Sequence, residues 1–347
     1  MLWVALVAVL LQTPTELPAK HADGSITLTL SAPAAASVRI WGDWLRGDQS
    51  EPMRRADDGT WTVTTAPLQP GPHLYAFLVD GLRVADPANR RVKNGYPGLS
   101  SIVEIPDPSV SGLPQGVTHV HPFRHPESGR ARTIHVYTPA GFTTRSRLPV
   151  LYLLHGSSDS DRDWLVMGQA AQLLERAVRA GTAPPMLLVM PDGHPHPSLD
   201  VWTRAENLRL LQLEFLRVIQ PLVERHYHPA SGTALRAVVG ASMGGAQALH
   251  LAARAPTLFG TVVALSAPPD VPGGETLIEA WRRPRSATPV RLFLLCGSDD
   301  PYLGEARQAL TAFQAVRATA EWIETPGGHD WATWRDHLGR VLPRLFP

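Results

Sequence analysis

One serine stands among small residues in the stretch VVGASMGGAQAL, which covers positions 238–249. Its surroundings match the pattern G-x-S-x-G, in which a sharp turn between a strand and a helix exposes a serine. Gly240 and Gly244 would let the strand and the helix approach closely, so that the Ser242 hydroxyl projects as a nucleophile. The backbone N–H of Met243 would then face a developing oxyanion, at the positive end of the helix. The pattern predicts acyl transfer; a close-packed structural turn is the alternative.

A serine hydroxyl reacts when a base takes its proton, and in this motif the base comes later in the chain. Three histidines follow Ser242. His250 lies two turns into the helix that the motif opens, so its side chain would point away. His337 lies inside the last predicted helix, 331–341, and is expected at the surface. His329 stands in the Gly-rich loop before that helix and is the predicted base.

A carboxylate must orient the imidazole and stabilise its charged form. The segment LLCGSDDPYLG offers Asp299 and Asp300 directly after a buried strand. We favour Asp300 as the acid, because Asp299 has the position of a turn or helix-capping residue. Asp270, which follows the preceding strand, is the third possibility.

The second oxyanion donor should come from the loop after an early strand. LYLLHGSSDS has such a loop: Gly156 permits a tight turn, and the N–H of Ser157 is the candidate donor. His155 is expected to shape the pocket and, with Gly156, to contact the substrate. Asp192 and His194 are also predicted to contact it, because they follow a buried strand at the face where open α/β sheets bind ligands.

Two tryptophans follow the predicted base. Trp331 is predicted to contact the substrate, since either it or Trp334 could line a pocket for an aromatic acyl group; packing of both beneath the loop is the alternative. Paired histidines also occur at 119 and 121, 194 and 196, and 226 and 228. No carboxylate or cysteine spacing accompanies them as a zinc site would require, and serine chemistry needs no metal. We therefore expect no metal or other cofactor.

Strands and helices alternate from about residue 117 onward. The predicted strands are the runs TIHVYTP, PVLYLLHG, MLLVMPDG, ALRAVVG, TVVALSA, VRLFLLCG and AEWIET. Helices are predicted over 164–180, 204–227 and 331–341. Continuous apolar strands between helices predict an α/β fold with a mostly parallel sheet that helices cover on both faces.

The N-terminal part has a different sequence pattern. From 21 to 106, short β-like runs alternate with turn signals and predict a small antiparallel β-sandwich. Residues 107–116, rich in Pro, Ser and Gly, are the predicted linker to a catalytic domain at 117–347. Aromatic side chains of the sandwich could stack on sugar rings, but on short strands we expect core positions for Trp41, Trp44, Trp61, Tyr75 and Phe77.

The bulk composition excludes some partners. The 347 residues carry a formal net charge of +1 without a long basic run, so no nucleic acid partner is expected. The single Cys296 permits no intramolecular disulfide and is expected to be buried. The apolar run 2–11 is too short to span a bilayer, and residues 1–20 are predicted to form a secretory signal; a retained hydrophobic segment is the alternative. We expect a secreted or periplasmic protein without a membrane partner after signal removal.

Together the motifs resemble the putative-esterase family of α/β-hydrolases, which includes feruloyl, acetylxylan and enterochelin esterases, and more distantly the mycolyltransferases. The matching stretches are RTIHVYTPAGF, LPVLYLLHGSSDSDRDW, MLLVMPDG, VVGASMGGAQAL, LFLLCGSDD and GGHDWATW. The resemblance implies a triad of Ser242, Asp300 and His329, with an oxyanion donor at Ser157. Segment 25–106 resembles the early-set, carbohydrate-binding-module-like domain often placed before such esterases.

The sequence thus predicts a serine carboxylic-ester hydrolase that acts through an acyl-enzyme. Its expected substrates are acyl or feruloyl esters of sugars or polysaccharides. A siderophore trilactone esterase and an acyltransferase of the same fold are the alternatives within the family. A peptidase and a noncatalytic glycan-binding protein are alternatives from other classes.

Overall fold

The computed structural model describes residues 18–45, 47, 49–95, 98–197, 205–270, 274–282 and 290–347. These residues form two compact units, divided between Pro108 and Ser109, inside the predicted linker. Most of the predicted signal segment, residues 1–17, lies outside the described residues. Within the described part, no helix has the length and apolar character needed to cross a membrane.

The first unit consists of two antiparallel sheets that share one core, which confirms the predicted β-sandwich. One sheet has the order β1-β2-β6-β5, and the other has the order β4-β3-β7-β10-β9, with β8 paired to β7. The strands are β1 (Ala19–Lys20), β2 (Ile26–Ser31), β3 (Val38–Gly42), β4 (Glu51–Pro52), β5 (Arg54–Arg55), β6 (Thr60–Thr64), β7 (Gly71–Val79), β8 (Leu82–Val84), β9 (Val92–Lys93) and β10 (Ser100–Ile105).

Aromatic residues of this sandwich belong mainly to its core. Tyr75 and Phe77 have no exposed surface, and Trp41 and Trp61 are buried. Trp44 is half-buried and packs over Gly42, where an added Cβ would lie 2.4 Å from the indole ring. The expectation that these side chains form the core is therefore met for four of the five. Glycan binding by this unit stays a prediction.

The second unit is built on one eight-stranded sheet of order β11-β12-β14-β13-β15-β16-β17-β18. The six strands from β14 to β18 in that order are mutually parallel, and β11 and β12 form an antiparallel edge. The predicted, mostly parallel sheet is confirmed; β11 was not predicted. The strands are β11 (Val117–Arg124), β12 (Ala131–Thr138), β13 (Val150–Leu154), β14 (Leu187–Pro191), β15 (Arg236–Ala241), β16 (Thr261–Leu265), β17 (Arg291–Gly297) and β18 (Ala320–Thr325).

The helices of this unit are α1 (Asp163–Val166), α2 (Ala170–Arg179), α3 (Ala205–Glu214), α4 (Gln220–Tyr227), α5 (Met243–Arg254), α6 (Leu277–Trp281), α7 (Leu303–Ala315) and α8 (Trp331–Val341). The helix predicted over 164–180 is two helices, because Gln169 has φ 47° and the chain turns there, next to Gly168, which packs against Trp164. The helix predicted over 204–227 contains a π-helical segment, Phe215–Ile219, just before Pro221. Proline lacks an N–H, and a widened turn accommodates that missing donor.

Candidate active site

Ser242 lies at the sharp turn between β15 and α5. Its backbone has φ 53° and ψ −119°, a conformation that residues with a Cβ rarely adopt. The turn stops the strand and starts the helix within one residue, as the G-x-S-x-G pattern predicts. The side chain is thereby placed at the carboxyl end of the sheet.

The small residues around Ser242 allow backbone segments to touch. A Cβ added to Gly240 would lie 2.0 Å from the carbonyl oxygen of Gly244. A Cβ added to Gly244 would lie 2.4 Å from the carbonyl oxygen of Leu154, at the end of β13. Both distances are far below van der Waals contact. Glycine is therefore required at both positions for steric reasons.

Gly244→Ala is expected to lower the free energy of unfolding by about 1–3 kcal/mol, because backbone atoms that cannot rotate away must shift. The same shift moves the serine turn, and we expect kcat/KM to fall by about 10²-fold. Gly339→Ala is the matched control: Gly339 lies in α8 with nothing within 4 Å of the added methyl group. The control should be as stable as wild type or more stable. Urea denaturation measures the free energy of unfolding of each variant, and ester hydrolysis measures its kcat/KM. Equal stability of the two variants would contradict the steric explanation.

A chain of hydrogen bonds connects Ser242, His329 and Asp300. His329 Nε2 lies 3.0 Å from Ser242 Oγ. His329 Nδ1 lies 3.1 Å and 3.0 Å from the two carboxylate oxygens of Asp300. With a proton on Nδ1, the imidazole donates to Asp300 and its Nε2 lone pair faces the serine hydroxyl. This arrangement allows the hydroxyl to lose its proton to the ring.

The loops that carry Asp300 and His329 are held together by close backbone contact. Gly297 at the end of β17 is so close to the His329 loop that an added Cβ would lie 2.2 Å from the Gly327 carbonyl oxygen. The N–H of Asp299 donates to the same carbonyl at 2.9 Å. Asp330 caps α8 through a bond from the Thr333 N–H, which fixes the residue after His329. The position of His329 relative to Asp300 is therefore set by the backbone.

Asp300 is buried and receives several hydrogen bonds. Burial opposes its ionisation, but bonds from His329, the Ser266 hydroxyl and the Tyr302 N–H hold its pKa below the usual range. Ser266 follows β16 with φ 51°, and its hydroxyl also accepts the indole N–H of Trp334 at 3.2 Å. The sequence analysis missed Ser266, because nothing in the local pattern LSAPP marks it.

The other candidate acids lie elsewhere. Asp299 is exposed. Asp270 accepts the N–H of Leu277 at the start of α6, 2.6 Å away. Of the three carboxylates considered, Asp300 is the one hydrogen-bonded to His329.

The other two histidines have internal partners. His250 is buried and its Nε2 lies 3.0 Å from the Pro269 carbonyl. His337 has no exposed surface, and its Nε2 lies 2.7 Å from the Thr325 hydroxyl on β18. The expectation that His337 lies at the surface is wrong, because α8 turns this side chain toward the sheet. Burial lowers the pKa of His337 to about 4, so the ring is neutral at physiological pH.

The His329 ring lies between two aromatic side chains. Trp334 contacts it edge to face, with ring centroids 5.1 Å apart, and Tyr302 does the same at 4.8 Å. Trp334 is buried, whereas Tyr302 is 44% exposed. Trp331 is also buried; its ring packs on Trp164 and its N–H bonds Asp159. This corrects the expectation that Trp331 contacts the substrate, since it packs beneath the loop.

The segments that carry the predicted oxyanion donors, Met243 and Ser157, lie beside Ser242. Met243 is the first residue of α5, so its N–H has no acceptor within the helix. Gly156, next to Ser157, packs so that an added Cβ would lie 3.7 Å from Ser242 Cβ. Asp159 accepts the Gly156 N–H at 3.1 Å and thereby fixes the turn. Ser157 itself is exposed.

Three of the residues predicted to contact the substrate, His155, Asp192 and His194, also hold this turn in place. His155 is buried; its Nε2 accepts the Gly193 N–H at 2.8 Å and its Nδ1 lies 2.8 Å from the Gly156 carbonyl. His194 Nε2 lies 2.8 Å from the Ser157 carbonyl, and burial lowers the pKa of this ring. A neutral His194 with its proton on Nε2 donates to that carbonyl. The Asp192 carboxylate accepts the His194 N–H at 2.9 Å.

These contacts correct the prediction for His155. Its buried ring has both nitrogens engaged with the backbone, so it positions the turn and does not reach a substrate. His194 and Asp192 are partly exposed, and a role in substrate binding stays a prediction for both.

A buried ion pair anchors the 192–194 loop and was not predicted. Arg132 on β12 donates to the backbone carbonyls of Asp192 and His194, at 2.6 Å and 2.7 Å. Its Nε lies 2.5 Å from Glu214, which has no exposed surface and ends α3. Burial raises the pKa of Glu214 to about 7, and the charge of Arg132 opposes a further rise. Helical spacing alone gave no reason to suspect a charged pair here.

The raised pKa of Glu214 predicts a loss of stability as pH rises. Between about 4.5 and 7 the unfolded chain releases this proton while the folded chain keeps it, so folding becomes less favourable with increasing pH. Glu214→Gln removes that titration. Relative to the Gln variant, wild type should lose about 3 kcal/mol of unfolding free energy from pH 4 to pH 8. Urea denaturation at both pH values measures this difference; parallel pH profiles would show that the pKa is not raised.

Comparison with known proteins identifies a family for the second unit. A family model described as "Putative esterase" matches residues 126–345. A protein of Xylanibacter ruminicola named endo-1,4-beta-xylanase/feruloyl esterase is 28% identical over 352 residues. The alignment covers 96% of this chain and 46% of that protein. The chain therefore spans about half the length of this curated relative.

Solved structures show the same fold at lower identity. A CE1 ferulic acid esterase from Anaeromyces mucronatus, in complex with ferulic acid, superposes with a TM-score of 0.60 at 21% identity, covering 67% of this chain and 92% of that one. An enterobactin esterase from Shigella flexneri gives 0.69 at 20% identity and covers 92% of both chains. These likenesses support an α/β-hydrolase fold for the second unit.

Proposed function

The chain belongs to the putative-esterase family, and from this premise we propose that it is an esterase, a serine hydrolase acting through an acyl-enzyme. The proposed substrates are acyl or feruloyl esters of carbohydrates. The observation that carries the proposal is the hydrogen-bonded series Ser242–His329–Asp300, with distances of 3.0 Å at both junctions.

In the proposed mechanism, His329 Nε2 takes the proton of Ser242 as Oγ attacks the ester carbonyl carbon. The N–H groups of Met243 and Ser157 stabilise the resulting oxyanion, and Asp300 stabilises the imidazolium. The tetrahedral intermediate collapses, the C–O bond breaks, and His329 gives its proton to the leaving alcohol oxygen. Water then attacks the acyl-enzyme with His329 as base, and the acid leaves Ser242.

The support for carbohydrate esters comes from the Xylanibacter relative, whose name combines a xylanase with a feruloyl esterase. Because the family model that matches this chain is an esterase model, the feruloyl ester activity is proposed for this chain and the xylanase activity is not. The site itself is consistent with any ester whose carbonyl reaches Ser242 Oγ.

A substrate panel tests the proposal. Methyl ferulate, acetylated xylan, a catechol trilactone and a peptide anilide are compared by kcat/KM. We expect the feruloyl or acetyl ester to be preferred, and a reaction quenched with acid to carry the acyl group on the peptide that contains Ser242. Preference for the trilactone would overturn the carbohydrate assignment alone. Cleavage without any acyl-peptide, or cleavage of the anilide alone, would overturn the esterase mechanism.

A further inference from the structure

Tyr302 is the only aromatic residue among the large apolar side chains that the described part of the chain leaves exposed, at 44%. Its ring lies edge to face against His329, with centroids 4.8 Å apart and planes at 63°. The backbone N–H of Tyr302 donates to Asp300 Oδ1 at 2.8 Å, and Pro301 restricts the chain between them. An exposed aromatic surface is thus fixed beside the proposed base.

The position of Tyr302 determines which part of a substrate it would meet. In the proposed mechanism the oxyanion is held on the side of the Met243 N–H. His329 must deliver its proton to the leaving alcohol oxygen, so the alcohol portion lies on the His329 side of the scissile bond. Trp334, the other ring against His329, is buried and closed to a ligand. Among the described residues, Tyr302 is therefore the exposed aromatic side chain that lies against His329 and can meet the alcohol portion.

The chemistry of the side chain favours a sugar ring over a simple alkyl alcohol. A tyrosine ring offers an apolar face with a polar hydroxyl at its edge, which suits a ligand with C–H groups on one face and hydroxyls around its rim. Among the hydrogen bonds of the described residues, none uses the Tyr302 hydroxyl. It is free to bond a sugar hydroxyl.

We propose that Tyr302 determines specificity for the alcohol portion of the ester by binding its sugar ring. The inference rests on the proposed serine mechanism, because it is the proton transfer from His329 that places the alcohol beside Tyr302. It assigns the acyl group to a different part of the site.

The contact between Tyr302 and the sugar is tested with two esters that share an acyl group and differ in the alcohol: methyl ferulate and a 5-O-feruloyl arabinose. Since kcat/KM reports the steps up to acylation, the shared deacylation step does not affect the comparison. Tyr302→Ala is expected to lower kcat/KM for the sugar ester by about tenfold more than for the methyl ester. Tyr302→Phe keeps the ring but lacks the hydroxyl, so it should lose part of the wild-type preference for the sugar ester over the methyl ester. Val120→Ala, another exposed apolar position, serves as the control for surface truncation.

The outcomes separate this inference from the function on which it depends. An equal fall for both esters would mean that Tyr302 only positions His329, and would overturn the inference while leaving the esterase mechanism in place. Unchanged kcat/KM for both esters would overturn it too. Wild-type protein that cleaves neither ester would overturn the proposed function itself. Melting temperatures show whether each variant is folded.

Discussion

Replacing Ser242 by alanine is expected to lower kcat/KM for methyl ferulate by a factor of about 10⁴ or more. The alanine variant keeps the proposed base, acid and backbone donors but has no atom that can attack the carbonyl. Residual hydrolysis would come from water activated near the oxyanion donors. Initial rates at high enzyme concentration measure the loss.

A double variant sharpens this prediction. If Ser242 and His329 act as one unit, Ser242→Ala combined with His329→Ala should be no slower than either single variant. Multiplicative losses would show that the two residues act independently. A single variant that retains a tenth of wild-type activity would contradict the serine mechanism. Melting temperatures close to that of wild type are required, so that the loss cannot be attributed to unfolding.

Asp300→Asn is expected to lower kcat by about 10³–10⁴-fold. The amide of asparagine can donate to His329 Nδ1, which favours the tautomer with its proton on Nε2. That tautomer cannot accept the Ser242 proton. The buried position of Asp300 leaves the new side chain no alternative partner in solvent.

Asp299→Asn is the matched control, because it makes the same chemical change one residue earlier. Asp299 is exposed, and its structural hydrogen bond comes from the backbone N–H, which the substitution keeps. We expect less than a twofold change in kcat. A larger loss in Asp299→Asn than in Asp300→Asn would identify Asp299 as the acid and would contradict the proposed triad.

Much of the second unit could be predicted because its signals are local. Apolar runs separated by helices specify a parallel sheet, and glycines flanking Ser242 specify a turn that only small residues allow. His329 could be selected by elimination, since the sequence alone shows that it lies in a loop and that it follows Ser242 in the chain. The carboxyl ends of parallel strands lie at one edge of a sheet, so these residues could be expected to meet.

The missed features depend on contacts between distant segments. Arg132 and Glu214 are 82 positions apart, and neither has a local pattern that predicts a buried charge. Ser266 supports Asp300 only because β16 and β17 are neighbours. His155 was assigned to the substrate since it lies in the right loop, but its side chain turns beneath that loop. Side-chain direction in an irregular segment cannot be deduced from position in the sequence.

The positive φ of Ser242 lowers the stability of the folded protein. A residue with a Cβ held at φ 53° costs about 1–3 kcal/mol, and glycine would be free of that cost. Ser242→Gly should therefore melt at a higher temperature than Ser242→Ala, although neither variant is expected to hydrolyse esters. Thermal stability alone would favour glycine at this position, so a serine here lowers stability in exchange for the proposed nucleophile.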